Sequence, residues 1–411
     1  MRRVLLLLLL ICILGFNSVV EAKEITLVIS VSGERAKFMD EYLAWYKEVN
    51  PDIKVTVISG SDDKVLTLLS AGVPPELYRI GFETYAEYAE QGAMADIGPL
   101  LARHNFDFSL FFDPLVQAIK YKGVYYGLPS NVNPEIVFWN KQLFSERGIA
   151  PPPVHYGNPN WTWQTLRDLS KKLTVDNDGD GTPEQWGAMV VKNFAAQSTF
   201  GSAWNAKWMD DWGNTFVGNS PQMVEALRFL ADWINQDRTA FEQSGGDPFG
   251  SGKAAMLIGS AANRVPNYEA AGLPYGVAPS PTGHIPLLRG AVIRFIKGSD
   301  IEAAWDLAYN LVANPYWAAR KAIAFGGVPS MRAAFAEYQK LATYVTQDML
   351  TTFIDQVMYG EIYGPSYGPR FTDINNILNK YVSDVVKNVI PPGIAVEQAA
   401  DEINGLLGRQ W

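Results

Sequence analysis

An acidic loop in the middle of the chain has the spacing of a metal-binding site. Asp176, Asp178 and Asp180 occupy alternate positions, and Glu184 follows four residues later. Oxygen ligands at alternate positions followed by a glycine match the first half of an EF-hand calcium loop. The twelfth position, which carries a bidentate glutamate in that loop, is Gly187 here. The pattern therefore predicts either a structural calcium ion or a solvated acidic turn.

Aromatic residues recur at a regular spacing further along the chain. Phe200, Trp204, Trp208 and Trp212 lie four residues apart, which places them on one face if the segment is helical. A stripe of this kind either packs in a core or presents flat rings to the C–H surfaces of a sugar. The whole chain has 12 Trp, 19 Tyr and 20 Phe, more aromatic residues than a core alone requires. Both interpretations stay open on spacing alone.

The sequence lacks the common signatures of catalysis. Its histidines are His104, His155 and His284, and no two of them have the spacing of a zinc site. A Walker loop is not present either. Asp210 and Asp211 suggest a glycoside hydrolase, but adjacent side chains point in different directions, whereas that reaction needs two carboxylates roughly 5–9.5 Å apart. We therefore expect a non-enzyme, with an exported carbohydrate-active enzyme as the alternative.

The N-terminus has the pattern of an export signal. Arg2 and Arg3 precede an unbroken apolar run at 4–14, and Ala22 occupies the position before a signal-peptidase cut. An apolar run of this length is too short to span a bilayer comfortably, because spanning takes about 20 residues. Residues 1–22 are therefore expected to be removed, with a retained anchor as the alternative. The mature chain would be periplasmic or extracellular and would lack Cys12, the single cysteine.

Length and charge narrow the classes of partner. A chain of 411 residues favours two domains. Its formal net charge is -9, and no stripe of Lys and Arg is present. Nucleic-acid binding depends on neutralising phosphates with such a stripe, so a nucleic-acid partner is not expected.

Candidate polar residues can form one site only if helices and strands bring them together. Strands are predicted at 24–31, 53–58 and 77–80, and helices at 35–49, 64–71 and 84–91. This alternation predicts an α/β fold with a parallel, doubly wound sheet. Ligands collect at the carboxyl ends of such strands, where Gly33 and Glu34 follow the first strand and Phe82 and Glu83 follow the third. Glu83 could instead cap the helix that follows it.

Seven stretches in order resemble one family. They are NPDIKV at 50–55, GFETYAEY at 81–88, YGLP at 126–129 leading to WNKQLF at 139–144, WTWQTL at 161–166, FGSGKAAM at 249–256, Gly290 ahead of Ala303 and Ala304, and GVP at 327–329. Together they cover nearly the whole mature chain. The chain resembles the extracellular solute-binding proteins of bacterial ABC importers, the family that includes maltose-binding protein.

The resemblance implies two α/β lobes of the periplasmic-binding-protein type, joined by two or three crossover segments, with the ligand in the cleft between them. The lobes would close around the ligand by a hinge motion. It places 23–133 with 287–341 in an N-terminal lobe and 134–286 with 342–411 in a C-terminal lobe. It also implies a monomer that needs no cofactor and delivers its ligand to the permease subunits of an ABC importer. The expected ligand is a sugar or oligosaccharide, with a non-sugar polar solute such as glycerol phosphate or a polyamine as the alternative.

The resemblance also implies further ligand-binding residues. They are Asn131 and Asn133 in a turn at the first crossing, Trp204 and Trp208 in the aromatic stripe, Arg289, and Tyr363, Tyr367 and Arg370 in a Gly- and Pro-rich loop. Turn formation is the other interpretation of the two asparagines, and a salt bridge is the other interpretation of Arg289.

Overall fold

The computed structural model describes residues 23–210, 213–363 and 365–408, with the side chains of 365–367 left aside. The expected export signal at 1–22 and the ring of Trp212 therefore lie outside the described residues, and so does the side chain of Tyr367. Within these ranges, no helix has both the length and the apolar character needed to cross a membrane.

The described chain alternates strands and helices. The strands are β1 (Lys23–Val28), β2 (Ile53–Ile58), β3 (Leu77–Gly81), β4 (Lys120–Tyr121), β5 (Val124–Tyr125), β6 (Gly127–Asn140), β7 (Trp186–Val190), β8 (Ala240–Glu242), β9 (Ala254–Ala261), β10 (Tyr275–Ala278), β11 (Leu287–Phe295), β12 (Val328–Pro329) and β13 (Glu361–Ile362). The α-helices are α1 (Glu34–Val49), α2 (Asp62–Ser70), α3 (Tyr85–Glu90), α4 (Gly98–Arg103), α5 (Asp113–Ala118), α6 (Lys141–Glu146), α7 (Trp163–Leu173), α8 (Pro221–Asn235), α9 (Val265–Ala270), α10 (Ile301–Ala313), α11 (Pro315–Phe325), α12 (Ala334–Leu341), α13 (Gln347–Tyr359), α14 (Phe371–Val386) and α15 (Pro392–Leu407).

The first lobe is built on the predicted parallel strands. β1 pairs in parallel with β2 and β3, and β11 pairs antiparallel with β3 and with the first half of β6. Helices α1, α10 and α11 contribute buried residues to the same core, among them Tyr42, Leu307 and Trp317. The carboxyl ends of β1 to β3 therefore point toward one edge of this lobe.

The long strand β6 connects the two lobes. Its residues up to Pro134 pair with β11, and its residues from Glu135 onward pair with β9 and β10. The second lobe adds β7 and β8, which run parallel to each other and to β9. A separate core packs α7, α8, α14 and α15 in this lobe. One strand thus belongs to both sheets, and the α/β fold with two lobes predicted from the sequence is confirmed.

Local sequence signals account for several element boundaries. The Thr162 side chain accepts a hydrogen bond from the Thr165 N–H, so it caps α7. Asn140 accepts from two N–H groups in the same way at the start of α6, where β6 ends. The boundaries predicted for the first three strands and helices lie within three residues of the observed ones.

Two local predictions were wrong. The segment at 127–134 is not a turn, because Asn131 and Asn133 lie within β6. Pro129 is accommodated where the pairing of β6 with β11 shifts register, which is one of the places where a sheet tolerates proline. The aromatic stripe is not a continuous helix either, because a short 3₁₀ helix ends at Trp204 and Asn205 then adopts a left-handed conformation. The lobe boundaries stay a prediction.

Candidate functional site

The carboxyl edge of the first lobe holds an arginine that sequence reasoning did not single out. Arg79 lies on β3, and its Nη2 donates to Oδ1 of Asn131 on β6 at 2.6 Å. Nδ2 of Asn131 donates in turn to the carbonyl oxygen of Gly326 at 3.3 Å. The Arg79 Cζ lies 4.3 Å from the ring centroid of Phe325, the last residue of α11. Two segments distant from β3 in the sequence, β6 and residues 325–326, therefore fix this guanidinium group.

A second arginine lies against the same ring. The Arg35 Cζ, in the first turn of α1, is 5.1 Å from the Phe325 centroid. Burial together with the neighbouring positive charge of Arg35 lowers the pKa of Arg79 to about 9. Two like charges therefore share one aromatic ring at this edge.

Glu83 lies just beyond the end of β3, as predicted, and it faces several cations. Burial raises the pKa of its carboxyl, and the charges of Arg289, Arg294 and Arg79 act in the opposite direction. Arg289 is half-buried and its Cζ lies 5.4 Å from the ring centroid of Tyr363. The structure thus brings the predicted residues Glu83, Arg289 and Tyr363 into one neighbourhood.

Tyr363 is held in place from the second lobe. Its hydroxyl donates to Oδ1 of Asn375 on α14 at 2.6 Å, and its backbone N–H donates to the carbonyl of Leu288 on β11 at 2.9 Å. Burial raises the pKa of the Tyr363 phenol to about 12. The side chain therefore links the two lobes beside Arg289 as a neutral hydrogen-bonding group.

Asn133 presents an acceptor that the protein leaves unused. Its Oδ1 is buried and has no hydrogen-bond partner among the described residues. Gly327, at a φ of 119°, lies so close that an added Cβ would sit 2.2 Å from this oxygen. A side chain at 327 would therefore displace Asn133, and glycine there keeps the acceptor in position.

The second lobe also has buried polar atoms without partners. Gln197 Oε1, Ser198 Oγ and Thr199 Oγ1 follow β7, and Ser260 Oγ lies on β9; all four atoms are buried and unpartnered among the described residues. Buried polar groups in proteins are paired in the great majority of cases. This group of unpaired atoms indicates a place where a polar ligand or water completes the bonding.

A cavity lies beside the 3₁₀ segment of the second lobe. Its volume is about 370 Å³, and its walls include Ser198, Thr199, Ser202, Ile285 and Glu361. Ile285 and Glu361 come from the segments that flank β11 and form β13, so the cavity reaches the lobe boundary. This volume falls in the range of small-ligand sites, roughly 300–1,000 Å³.

Two predicted ligand contacts are buried in the core, and the structure does not support them. Phe82 is 1% exposed, and its ring packs beneath Gly290. Trp208 is 2% exposed, its Nε1 donates to the Ala195 carbonyl at 2.9 Å, and its ring stacks with Phe216. Neither ring can reach a ligand in this conformation, because packing and the hydrogen bond hold both in the interior.

The remaining predicted residues are more accessible. Gly33 and Glu34 are exposed after β1, and the Glu34 carboxylate pairs with Lys37 at 2.6 Å. Trp204 and Arg370 are half-buried. The Trp204 ring stacks with that of Trp163, with centroids 6.2 Å apart. Trp204 therefore keeps an accessible part, which Trp208 does not.

The two crossing segments between the lobes are tied by a buried pair. Glu135 follows the crossing on β6, and His284 precedes β11. His284 Nε2 lies 3.0 Å from Glu135 Oε1, which also accepts from Ser280 Oγ at 3.3 Å. Both side chains are buried, so this contact fixes the spacing of the crossings at the base of the cleft.

The acidic loop has a geometry that suits a cation. Oxygens of Asp176, Asp178 and Asp180 all lie within 4.8 Å of one another, on exposed side chains. Glu184 is engaged differently, because its Oε2 accepts from the Asn177 N–H at 3.0 Å. Carboxylate oxygens at this separation can share a calcium ion. Calcium binding by this loop stays a prediction.

Arg79, Gln197, Ser198, Thr199 and Ser260 are the main site residues that the sequence interpretation missed. Arg79 did carry a signal, since a charged residue inside the apolar strand LYRIG requires a special environment. The three residues at 197–199 carry no comparable signal, because polar residues after a strand are common in loops.

This chain is similar to known proteins in both sequence and fold. Residues 30–311 match the family described as bacterial extracellular solute-binding protein. The maltotriose-binding protein of Pyrococcus abyssi is 23% identical over 378 residues, which cover 85% of this chain and 78% of that protein. An ABC substrate-binding protein of Listeria monocytogenes in complex with cycloalternan has a TM-score of 0.78 at 24% identity, covering 94% of this chain and 100% of that one. The sugar-binding protein MalE of Xanthomonas citri has a TM-score of 0.79 at 20% identity, covering 94% of this chain and 97% of that one.

Proposed function

The chain belongs to the bacterial extracellular solute-binding proteins, and we propose that it captures a saccharide between its lobes and delivers it unchanged to the permease subunits of an ABC importer. The related proteins that bind maltotriose and cycloalternan support a saccharide as the ligand class. The matched family and the N-terminal pattern support export as the route to the ligand.

The observation that carries the proposal is the set of unused buried polar atoms on the two lobes. Asn133 Oδ1 and Arg79 Nε lie on the first lobe, and Gln197 Oε1, Thr199 Oγ1 and Ser260 Oγ lie on the second. Each unpaired buried group costs roughly 1–3 kcal/mol. Saccharide hydroxyls both donate and accept, so a bound saccharide would recover this free energy, and a ligand without matching hydroxyls would not.

The connecting elements suit a closing motion. β6 contributes to both sheets, so a change of angle between the lobes requires a bend near Pro134. The Glu135–His284 contact keeps the two crossings together while the lobes rotate. Small backbone changes at element ends are how hinges of this kind move. The Trp204 ring, stacked on Trp163, offers an apolar face for the sugar on the second lobe.

Thermal unfolding in the presence of single saccharides tests the proposal. A ligand that binds only the folded chain stabilises it by RT ln(1 + [L]/Kd), about 2.7 kcal/mol at a hundred-fold excess over Kd. We expect at least one of maltose, maltotriose, cycloalternan, mannitol, an arabino-oligosaccharide and an oligogalacturonide to raise the midpoint. The same mixtures analysed by chromatography should contain intact saccharide.

Two results would overturn the proposal. One is a panel in which no saccharide shifts the midpoint although the chain is folded. The other is the appearance of shorter saccharides after incubation, because a delivery protein leaves its cargo unchanged. The monomeric state can be checked in the same preparation by light scattering with and without the saccharide.

A further inference from the structure

The charge at the first-lobe edge is opposite in sign to that of the chain. The full sequence has a formal net charge of -9. Yet Arg35, Arg79 and Arg289 gather at the strand ends of the first lobe, close to the unused Asn133 acceptor. Clefts lined by charges of one sign concentrate the field and favour ligands of the opposite sign. This local reversal requires a physical reason.

The positive charges are not neutralised by the protein. Within the described ranges, no carboxylate oxygen lies within 4.0 Å of the charged nitrogens of Arg35, Arg79 or Arg289, although ion pairs form at many other arginines and lysines. The carboxylates that act on this region are Glu83, which faces Arg79, Arg289 and Arg294, and Asp62, which acts on Arg294. Cations therefore outnumber carboxylates here.

Arg79 has unused bonding capacity, as does the fully buried Arg294. Its Nη2 is bound to Asn131, whereas its Nε is buried and has no partner among the described residues. The Phe325 ring compensates part of the charge, but two guanidinium groups share that ring. A guanidinium held only for structure is normally matched by a carboxylate or by several carbonyl oxygens. The protein leaves that place open at the ligand-facing edge.

We infer that the saccharide is an acidic one, whose anionic group binds at Arg79 and Arg35 beside Asn131 while its hydroxyls meet the remaining unpaired atoms. This inference rests on the proposed saccharide-binding function. A planar carboxylate of the uronic-acid type matches the fork of donors on a guanidinium group. A phosphate or sulfate ester shares the same anionic oxygens. A polyamine is excluded by the same charges, because a cation would be repelled from this edge.

Calorimetric titration of the full mature chain tests the inference with named probes. The acidic probes are digalacturonate, trigalacturonate and glucose 6-phosphate, and the neutral probes are maltotriose and digalactose. We expect an acidic probe to bind at least about 10-fold more tightly than its neutral counterpart. The affinity of the acidic probe should fall as the sodium chloride concentration is raised, because salt partly screens the attraction between the anionic group and the arginines. A preference for the uronides identifies a carboxylate, and a preference for glucose 6-phosphate identifies a phosphate ester.

Variants separate a charge contact from a structural role. Arg79→Gln should weaken the acidic probe by about 10- to 100-fold, the change expected for the loss of a hydrogen bond between charged groups, and should change neutral probes little. Arg35→Gln should act in the same direction and does not disturb the bond to Asn131. The matched control is Arg103→Gln, which changes an exposed arginine on α4 that pairs with Glu302 on α10 and should leave every affinity unchanged.

The outcomes also distinguish this inference from the proposed function. If neutral and acidic probes bind equally, or if Arg79→Gln and Arg35→Gln weaken both kinds alike, the anionic subsite is refuted while saccharide binding stands. If no saccharide of either kind binds to a folded chain, the proposed function itself fails.

Discussion

Asn131 and Asn133 provide a matched test of whether unpaired polar atoms mark the ligand site. They lie two residues apart on β6, so their side chains point to the same face of the sheet. Asn131 is fully engaged, because it accepts from Arg79 and donates to the Gly326 carbonyl. The buried Oδ1 of Asn133 has no partner among the described residues. Alanine at each position therefore removes a used group in one case and an unused acceptor in the other.

Asn133→Ala should reduce saccharide affinity without a loss of stability, whereas Asn131→Ala should reduce stability. Asn133→Ala relieves an unpaired acceptor, so the free energy of unfolding should stay unchanged or rise by about 1 kcal/mol. Saccharide affinity should fall by about 1–1.5 kcal/mol, which is roughly 5- to 12-fold. Asn131→Ala leaves the Arg79 donor without its acceptor, so the free energy of unfolding should fall by about 1–3 kcal/mol.

Urea denaturation gives the free energies of unfolding, and calorimetric titration with the tightest-binding saccharide of the panel gives the affinities. Equal m-values for the two variants would establish that the folded states are comparable. If Asn133→Ala loses as much stability as Asn131→Ala and keeps full affinity, Asn133 is a structural residue. The use of unpaired atoms to locate the ligand would then be refuted.

Three further predictions concern other parts of the chain. Trp208→Ala should lower the free energy of unfolding by about 3–5 kcal/mol, because it removes a fully packed ring. Trp204→Ala should lower the free energy of unfolding by less and should reduce saccharide affinity. Urea denaturation and calorimetric titration check both variants. The pKa of Glu83 is raised by burial, so the folded state takes up a proton before the unfolded state does. The stability of the wild type relative to Glu83→Gln should therefore rise as the pH falls from about 7 toward 4.5, the ordinary value of this carboxyl; a constant difference across a series of melts would contradict this. If the acidic loop binds calcium, a chelator should lower the thermal midpoint of the wild type but not that of Asp178→Ala. An unchanged midpoint of the wild type in the presence of the chelator would contradict calcium binding.

Local pattern was sufficient for much of the fold. Helical spacing in 35–49 and the β-branched runs at 53–58 and 77–80 led to α1, β2 and β3 with small boundary errors. These elements form from nearby residues, so their signals lie within a short window. The Thr162 cap of α7 is equally local, since its partner is the N–H of Thr165. Glu83 was placed at the cleft edge because a parallel sheet directs its strand ends there.

The same local rules failed where distant segments decide the outcome. Spacing alone could not separate Trp204 from Trp208, because the 3₁₀ helix ends between them and only Trp208 is closed over by Phe216. Asn131 and Asn133 looked like turn residues, yet pairing with β11 extends the strand through them. In both cases tertiary contacts override the preference of the short segment.

The sequence by itself determined the α/β class, the order of the first elements and the resemblance to a family of binding proteins. Only the tertiary structure decided which polar groups meet at the cleft. Arg79 reaches Asn131 across 52 residues, Asn131 reaches Gly326 across 195, and Glu135 reaches His284 across 149. Contacts at such separations depend on how strands pair and lobes pack, and that geometry determines which buried groups stay unpaired for a ligand.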